Sequence, residues 1–201
     1  MLNESISVTS RLQQRVVQAI REAGGWLAFD RFMALALYEP GLGYYANATP
    51  KFGQMPAGED GQGSDFVTAP ELSPLFGQTL ARQVAQALAA TGTDEVWEFG
   101  AGSGALALQL LDALDALGQA PQRYTIVDLS GSLRERQKIT LARHAERVRW
   151  IDRLPERMHG VVVGNEVLDA MPVQFLRRAG GDVDGVWLER GIGLTPDVEL
   201  E

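Results

Sequence analysis

The chain has 201 residues, a formal net charge of −8 and no cysteine. Its length suits one large domain, or one domain with an appendage, and the lack of cysteine excludes disulfides, thiolate catalysis and cysteine-bound metals. The acidic charge argues against a nucleic-acid partner, and no apolar run approaches the ~20 residues that cross a bilayer, so we predict no membrane span.

The first third of the chain predicts helices followed by a long loop. Residues 8–23 carry apolar side chains at helical spacing, and a second helix is predicted over residues 31–38, before Pro40. Residues 46–65 are rich in glycine, proline and small polar residues, which is typical of a mobile loop.

From residue 74 onward, helical and strand patterns alternate. Helices are predicted over residues 74–90, 104–117 and 132–144, and strands over residues 95–99, 123–128, 148–151 and 160–164, with a hairpin over residues 173–190. Alternation of this kind predicts an α/β fold with a parallel sheet and right-handed crossovers. The two histidines, His144 and His159, stand in unrelated contexts, so we predict no metal site.

A glycine-rich loop between the first strand and its helix is the strongest local signal. It places Gly100, Gly102 and Gly104 at alternate positions, which lets the backbone turn sharply and lets a ligand approach closely. The spacing of Gly100, Gly102 and Ala105 also satisfies the dinucleotide pattern, so a nicotinamide cofactor stays open. Glu98, two residues before the first glycine, favours S-adenosylmethionine, because methyltransferases of this fold usually carry an acid there.

Acidic and amide side chains follow the other strands. Asp128 ends the second strand, where a carboxylate would bind a ribose, although it could instead be a turn residue. Asp152, after the third strand, would lie near an adenine amino group or in an exposed turn. Asn165 and Glu166 follow an apolar strand that we predict to be buried, and they would be costly to bury without partners, so we expect them to face the reacting group. Asp169 could share that role or cap a helix.

Five segments together resemble the MidA-type methyltransferases. These segments are FMALALYEPGLGYY (32–45), SDFVTAPELSPLFG (64–77), the E-x-G-x-G-x-G loop (98–104), LRERQ (133–137) and NEVLDAMPV (165–173). Their joint occurrence is far more specific than any one of them. The family includes the mitochondrial complex I assembly factor that methylates a protein arginine.

The resemblance implies a Rossmann-like class I methyltransferase fold, S-adenosylmethionine as cofactor and a protein arginine as substrate. It implies that the cofactor and substrate cleft is shaped by Asp65, Thr68, Pro70 and Glu71. Glu166 is our candidate to pair with the guanidinium, assisted by Asp169 or Glu71. The expected location is the cytoplasm, or the mitochondrial matrix in a eukaryote. A nicotinamide-dependent oxidoreductase and a non-catalytic assembly factor remain alternatives.

Members of that family are nearly twice as long, and a complete fold of this class has more strands than this sequence predicts. We therefore expect an N-terminal helical region with its loop in residues 1–73 and a truncated cofactor-binding domain in residues 74–201. A truncated sheet would leave an unpaired edge, so we expect self-association through residues 160–190 and little methyl transfer.

Overall fold

The computed structural model describes residues 7–47, 67–180 and 185–195. Contacts divide the chain into two units, Thr49–Asp169 and the combination of Met1–Ala48 with Ala170–Glu201. Most of the segment predicted as a mobile loop, and Asp65 with it, lies outside the described residues.

Helices and strands cover most of the described chain. In sequence order they are α1 (Val8–Glu22), β1 (Trp26–Ala28), α2 (Phe29–Tyr38), α3 (Ala69–Leu72), α4 (Pro74–Thr91), β2 (Glu95–Phe99), α5 (Ala105–Ala116), β3 (Arg123–Val127), α6 (Gly131–Thr140), β4 (Val148–Ile151), β5 (Val161–Gly164), β6 (Phe175–Ala179) and β7 (Val186–Gly193). Short 3₁₀ turns lie at Ala142–His144 and Leu168–Ala170. The predicted strands and helices after residue 74 are confirmed, with their ends shifted by a few residues.

A parallel sheet in the order β4-β3-β2-β5 forms the centre of the unit Thr49–Asp169. In β3, Tyr124, Thr125 and Ile126 are all fully buried. Such a strand is covered on both faces, as is usual in parallel sheets with crossover helices. The predicted α/β fold with a parallel sheet is therefore confirmed.

Helices α4 and α5 pack on each other beside this sheet. The buried apolar residues of α5 recur at the spacing of one helical face and are Leu106, Ala107, Leu110, Leu111 and Leu114. The corresponding buried residues of α4 are Ala81, Val84 and Leu88. Because α5 begins directly after the glycine loop, this packing fixes the position of the loop against the sheet.

The other unit contains an antiparallel sheet in the order β1-β7-β6. Leu27 of β1 lies opposite Ile192 of β7 and shares a small core with Val16 and Ile20 of α1. This pairing ties the C-terminal hairpin to the N-terminal helices. The division by contacts consequently differs from the boundary predicted between residues 73 and 74.

Apolar side chains are exposed on two strands within the region predicted to self-associate. Val162 of the edge strand β5 is 53% exposed, and Val186 and Trp187 of β7 are 65% and 64% exposed. Self-association through this region stays a prediction. Among the described residues, no helix has both the length and the apolar character needed to span a bilayer.

Replacing Leu110 with alanine should lower the free energy of unfolding by about 2–5 kcal/mol, because it leaves a cavity in a fully buried part of α5. Leu117, which follows the same helix and is 41% exposed, provides the matched control Leu117→Ala, with a much smaller expected loss. Urea unfolding of both variants measures the difference. Equal losses would contradict the assignment of α5 to the core.

Candidate functional site

The four parallel strands end at the same level of the sheet. Their last residues are register partners across it, in the order Ile151, Val127, Phe99 and Gly164. Neighbouring strands lie about 4.8 Å apart. The residues that come next therefore stand side by side at one edge, in the order Asp152, Asp128, Gly100 and Asn165. The sheet thus brings together segments that the sequence singled out separately.

The glycine loop adopts backbone conformations that favour glycine. Gly100, Gly102 and Gly104 have φ values of 61°, 54° and 86°. A Cβ at Gly100 would lie 3.2 Å from a methyl carbon of Val167, so the segment after β5 packs directly on the loop. Val167, which sequence reasoning gave no role, links the two parts of the site.

Glu98 lies beneath this loop, inside the sheet. It is 2% exposed, and the Tyr124 hydroxyl donates a 2.7 Å hydrogen bond to its Oε2. The pKa of the Glu98 carboxyl is raised from 4.5 to about 7: burial is the main cause, the bond from Tyr124 acts in the opposite direction, and the Asp128 charge adds to the rise. Burial also raises the pKa of the Tyr124 hydroxyl well above its usual value. A direct contact of Glu98 with a cofactor stays a prediction.

Asp128 is buried at the end of β3, beside the glycine loop. Its Oδ1 accepts a 2.9 Å hydrogen bond from the Ser130 backbone N–H, and its Oδ2 accepts one of 2.7 Å from the Gln137 side chain. Burial raises the pKa of the Asp128 carboxyl, while these bonds and the charge of Arg134 act in the opposite direction. The carboxylate is therefore held in one orientation without a direct ion pair among the described residues.

Gln137 of α6 is fully buried and joins three parts of the site. Its Nε2 donates to the Gly102 carbonyl oxygen at 3.0 Å as well as to Asp128, and its Oε1 accepts from Trp150 Nε1 at 2.9 Å. Sequence reasoning assigned it no role. The signal that could have found it was its place in the LRERQ segment, which contributes to the family resemblance.

The segment around α3 is hydrogen-bonded to the glycine loop and to α5. Ser103 Oγ donates a hydrogen bond to the Glu71 carboxylate, and Gln109 Nε2 donates to the Pro70 carbonyl oxygen at 2.7 Å. Pro70 is buried, and Thr68 is the N-cap residue of α3 without a capping side-chain bond. Three of the four residues implied by the resemblance therefore lie in a segment joined to the loop, and the fourth, Asp65, is outside the described residues.

The residues after β5 are more accessible than those beneath the loop. Asn165 is half-buried, whereas Glu166 and Asp169 are exposed, as Asp152 is at the end of β4. Glu166 is the only non-glycine residue with a positive φ, 54°, in the described part of the chain. Left-handed backbone costs roughly 1–2 kcal/mol for such a residue, and strain of this kind is often found at functional sites.

The raised pKa of Glu98 predicts a specific pH dependence of stability. Between its usual pKa of 4.5 and about 7, the folded chain keeps a proton that the unfolded chain releases. This group therefore makes the unfolding free energy fall as pH rises through that range, by up to about 3 kcal/mol. Glu98→Gln removes the titration, so the variant should gain stability relative to the unaltered chain between pH 5 and pH 8.

Urea unfolding at several pH values between 5 and 8 measures the effect of Glu98→Gln. The exposed Glu156 provides the control Glu156→Gln, which should leave the pH slope unchanged. Identical slopes for Glu98→Gln and the unaltered chain would show that Glu98 is ionised throughout.

Solved structures with the same fold include two from Burkholderia thailandensis. One, bound to S-adenosyl-homocysteine, has a TM-score of 0.84 and 51% identity over 99% of this chain and 50% of its own. The other, a native crystal structure, has a TM-score of 0.76 and 49% identity over 99% of this chain and 49% of its own. The class I methyltransferase fold predicted from the sequence is confirmed.

Curated relatives include two proteins named mitochondrial protein arginine methyltransferases. The Caenorhabditis elegans NDUFAF7 homolog is 28% identical over 96% of this chain and 48% of its own length. Mouse NDUFAF7 is 30% identical over 69% of this chain and 31% of its own length. The chain thus spans about half the length of the first of these relatives, and less of the second.

A family model also matches the sequence. The model described as "Putative S-adenosyl-L-methionine-dependent methyltransferase" matches residues 79–201, which is more than half of the chain. The match includes the glycine loop, Asp128 and the segment after β5, and it agrees with the resemblance to the MidA-type proteins. The chain therefore belongs to this S-adenosyl-L-methionine-dependent methyltransferase family.

Proposed function

We propose that this chain binds S-adenosylmethionine at the glycine loop and forms the cofactor-binding part of a site that methylates an arginine side chain of a protein. The observation that supports it best is the buried Asp128 carboxylate, fixed beside three left-handed glycines at the edge where the strands end. The arginine substrate rests on the names of the two mitochondrial relatives.

The residues at this edge fit the cofactor. An ionised carboxylate has about four acceptor positions, so Asp128 keeps acceptor capacity for a ribose hydroxyl beside its bonds from Ser130, Leu129 and Gln137. The glycine loop has no Cβ atoms at alternate positions, so the backbone can approach the ligand closely. In this proposal Asp152 lies near the adenine, and Thr68, Pro70 and Glu71 line the cleft.

When bound, S-adenosylmethionine supplies a methyl group activated by a sulfonium. An arginine guanidinium is protonated in solution and must present a nitrogen lone pair to react. Glu166, exposed at the end of β5, pairs with the guanidinium, orients it and accepts its proton, with Asn165 and Asp169 beside it. Most of the remaining acceleration comes from positioning and from exclusion of water.

Replacing Gly102 with valine should weaken binding of S-adenosylhomocysteine about 5- to 30-fold. A branched side chain at φ 54° costs roughly 1–2 kcal/mol in that conformation. The free loop should therefore relax into another conformation, so that binding must restore the strained one, and 1.4 kcal/mol corresponds to a factor of ten in affinity. Isothermal titration calorimetry measures the change.

Gly118 provides the matched control for this variant. It has a φ of 66°, and a Cβ there would meet no atom within 4 Å. Gly118→Val therefore imposes a similar backbone cost away from the site and should leave the affinity unchanged. Binding of NAD in place of S-adenosylhomocysteine would contradict the proposed cofactor and favour the oxidoreductase alternative.

Replacing Glu166 with glutamine should slow methyl transfer to an arginine peptide by about 100-fold, the lower range for loss of a general base. Affinity for S-adenosylhomocysteine should stay the same, because Glu166 acts on the substrate. Glu156→Gln, another exposed carboxylate in the same unit, is the control.

A radiolabelled methyl-transfer assay with arginine and lysine versions of one peptide tests the substrate. Transfer to the lysine peptide alone would contradict the arginine assignment.

A further inference from the structure

We propose that Gln137 is a positioning residue that holds the Asp128 carboxylate and the Gly102 carbonyl in the arrangement that binds the cofactor. The proposal rests on the proposed function of this edge of the sheet. Gln137 has no exposed surface, and a single Nε2 group reaches both Gly102 O at 3.0 Å and Asp128 Oδ2 at 2.7 Å. Gln137 therefore connects the glycine loop to the end of β3 through hydrogen bonds.

Trp150 fixes which way the Gln137 amide points. An indole N–H can only donate, so the atom 2.9 Å from Trp150 Nε1 must be the amide oxygen. The amide nitrogen then faces the Gly102 carbonyl oxygen and the ionised Asp128 carboxylate, both of which only accept. Each of the three neighbours demands the same orientation, so the amide has one satisfied state and no equivalent flipped one.

Glutamine is the side chain whose chemistry meets all three neighbours. It offers two donors on one atom and an acceptor on the other, without charge. A glutamate would place a second carboxylate against Asp128, and a methionine of similar length would leave both Asp128 and the Gly102 carbonyl without this donor. Loss of a hydrogen bond to a buried charged group is costly because water does not replace it.

Gln137 affects binding because it fixes the position of Oδ2, the second carboxylate oxygen of Asp128. Ser130 N–H holds Oδ1 from within the turn after β3, whereas Gln137 holds Oδ2 from α6. Without Gln137, Oδ2 loses its donor from α6, the carboxylate is held only from the turn after β3, and the Gly102 peptide loses an anchor. Both changes act on the groups that would face the ribose and the loop-bound part of the cofactor.

The test compares Gln137→Met, Gln137→Glu and Thr140→Val by calorimetric titration with S-adenosylhomocysteine. Thr140 is the matched control, because its Oγ1 donates to Ser103 O at 2.9 Å and so joins the same helix to the same loop without contacting Asp128. We expect Gln137→Met to weaken binding about tenfold or more and Thr140→Val to weaken it much less, even where the two lose similar thermal stability.

Gln137→Glu gives a second readout. Glutamate keeps an acceptor for Trp150, so the Trp150 indole N–H resonance should remain near its position in the unaltered chain, whereas Gln137→Met should shift it. The affinity of Gln137→Glu, relative to the unaltered chain at each pH, should fall as pH rises, because a proton shared with Asp128 is lost. The charges of Glu98 and Arg134 also affect the ionisation of Asp128, in the variant and in the unaltered chain alike. Dividing the affinity of Gln137→Glu by that of the unaltered chain at each pH largely removes this shared contribution.

Equal affinities for Gln137→Met and Thr140→Val, together with a ratio for Gln137→Glu that does not change with pH, would overturn the proposal and leave Gln137 a structural residue. Absence of S-adenosylhomocysteine binding by the unaltered chain would contradict the proposed function itself, and the proposal would fail with it. If the unaltered chain binds S-adenosylhomocysteine and the Gln137 variants bind it with the same affinity, only the role of Gln137 is overturned.

Discussion

Parallel pairing in one register is the constraint on which the rest of the site depends. Because Phe99 is the partner of both Val127 and Gly164, the segments after β2, β3 and β5 leave the sheet at a common level. A shift of one residue in any strand would turn its side chains to the other face of the sheet. The glycine loop and Asp128 are neighbours for this reason, although they are distant in the sequence.

Two acidic groups are buried near this edge and both are satisfied by uncharged donors. Glu98 accepts from the Tyr124 hydroxyl, and Asp128 accepts from Ser130 N–H and Gln137. Among the described residues, neither forms an ion pair with lysine or arginine. Burial raises the pKa of both carboxyls, which is the electrostatic cost of this arrangement. In the proposed function, a ligand with positive sulfonium and ammonium groups offsets part of that cost.

The two units differ in the interactions that stabilise each of them internally. The unit Thr49–Asp169 has an extensive apolar core between α4, α5 and the parallel sheet. The other unit has a small core around Ile20 and depends on antiparallel pairing between β1 and β7. Much of the β6–β7 hairpin is exposed, including Trp187. Burial of apolar surface therefore stabilises mainly the unit that carries the glycine loop.

The sequence by itself determined the features that depend on local chemistry. The glycines at 100, 102 and 104, the apolar strand at 161–164 and the acids that follow the strands were all readable, because turn geometry and sheet packing impose residue types over short distances. Only the tertiary structure decided which of these groups meet. Gln137 gained its role from partners on the loop, β3 and β4, and β1 exists as a strand because β7 pairs with it from the far end of the chain. Contacts of this kind have no local signature, since their energy comes from groups that only folding brings within hydrogen-bonding distance.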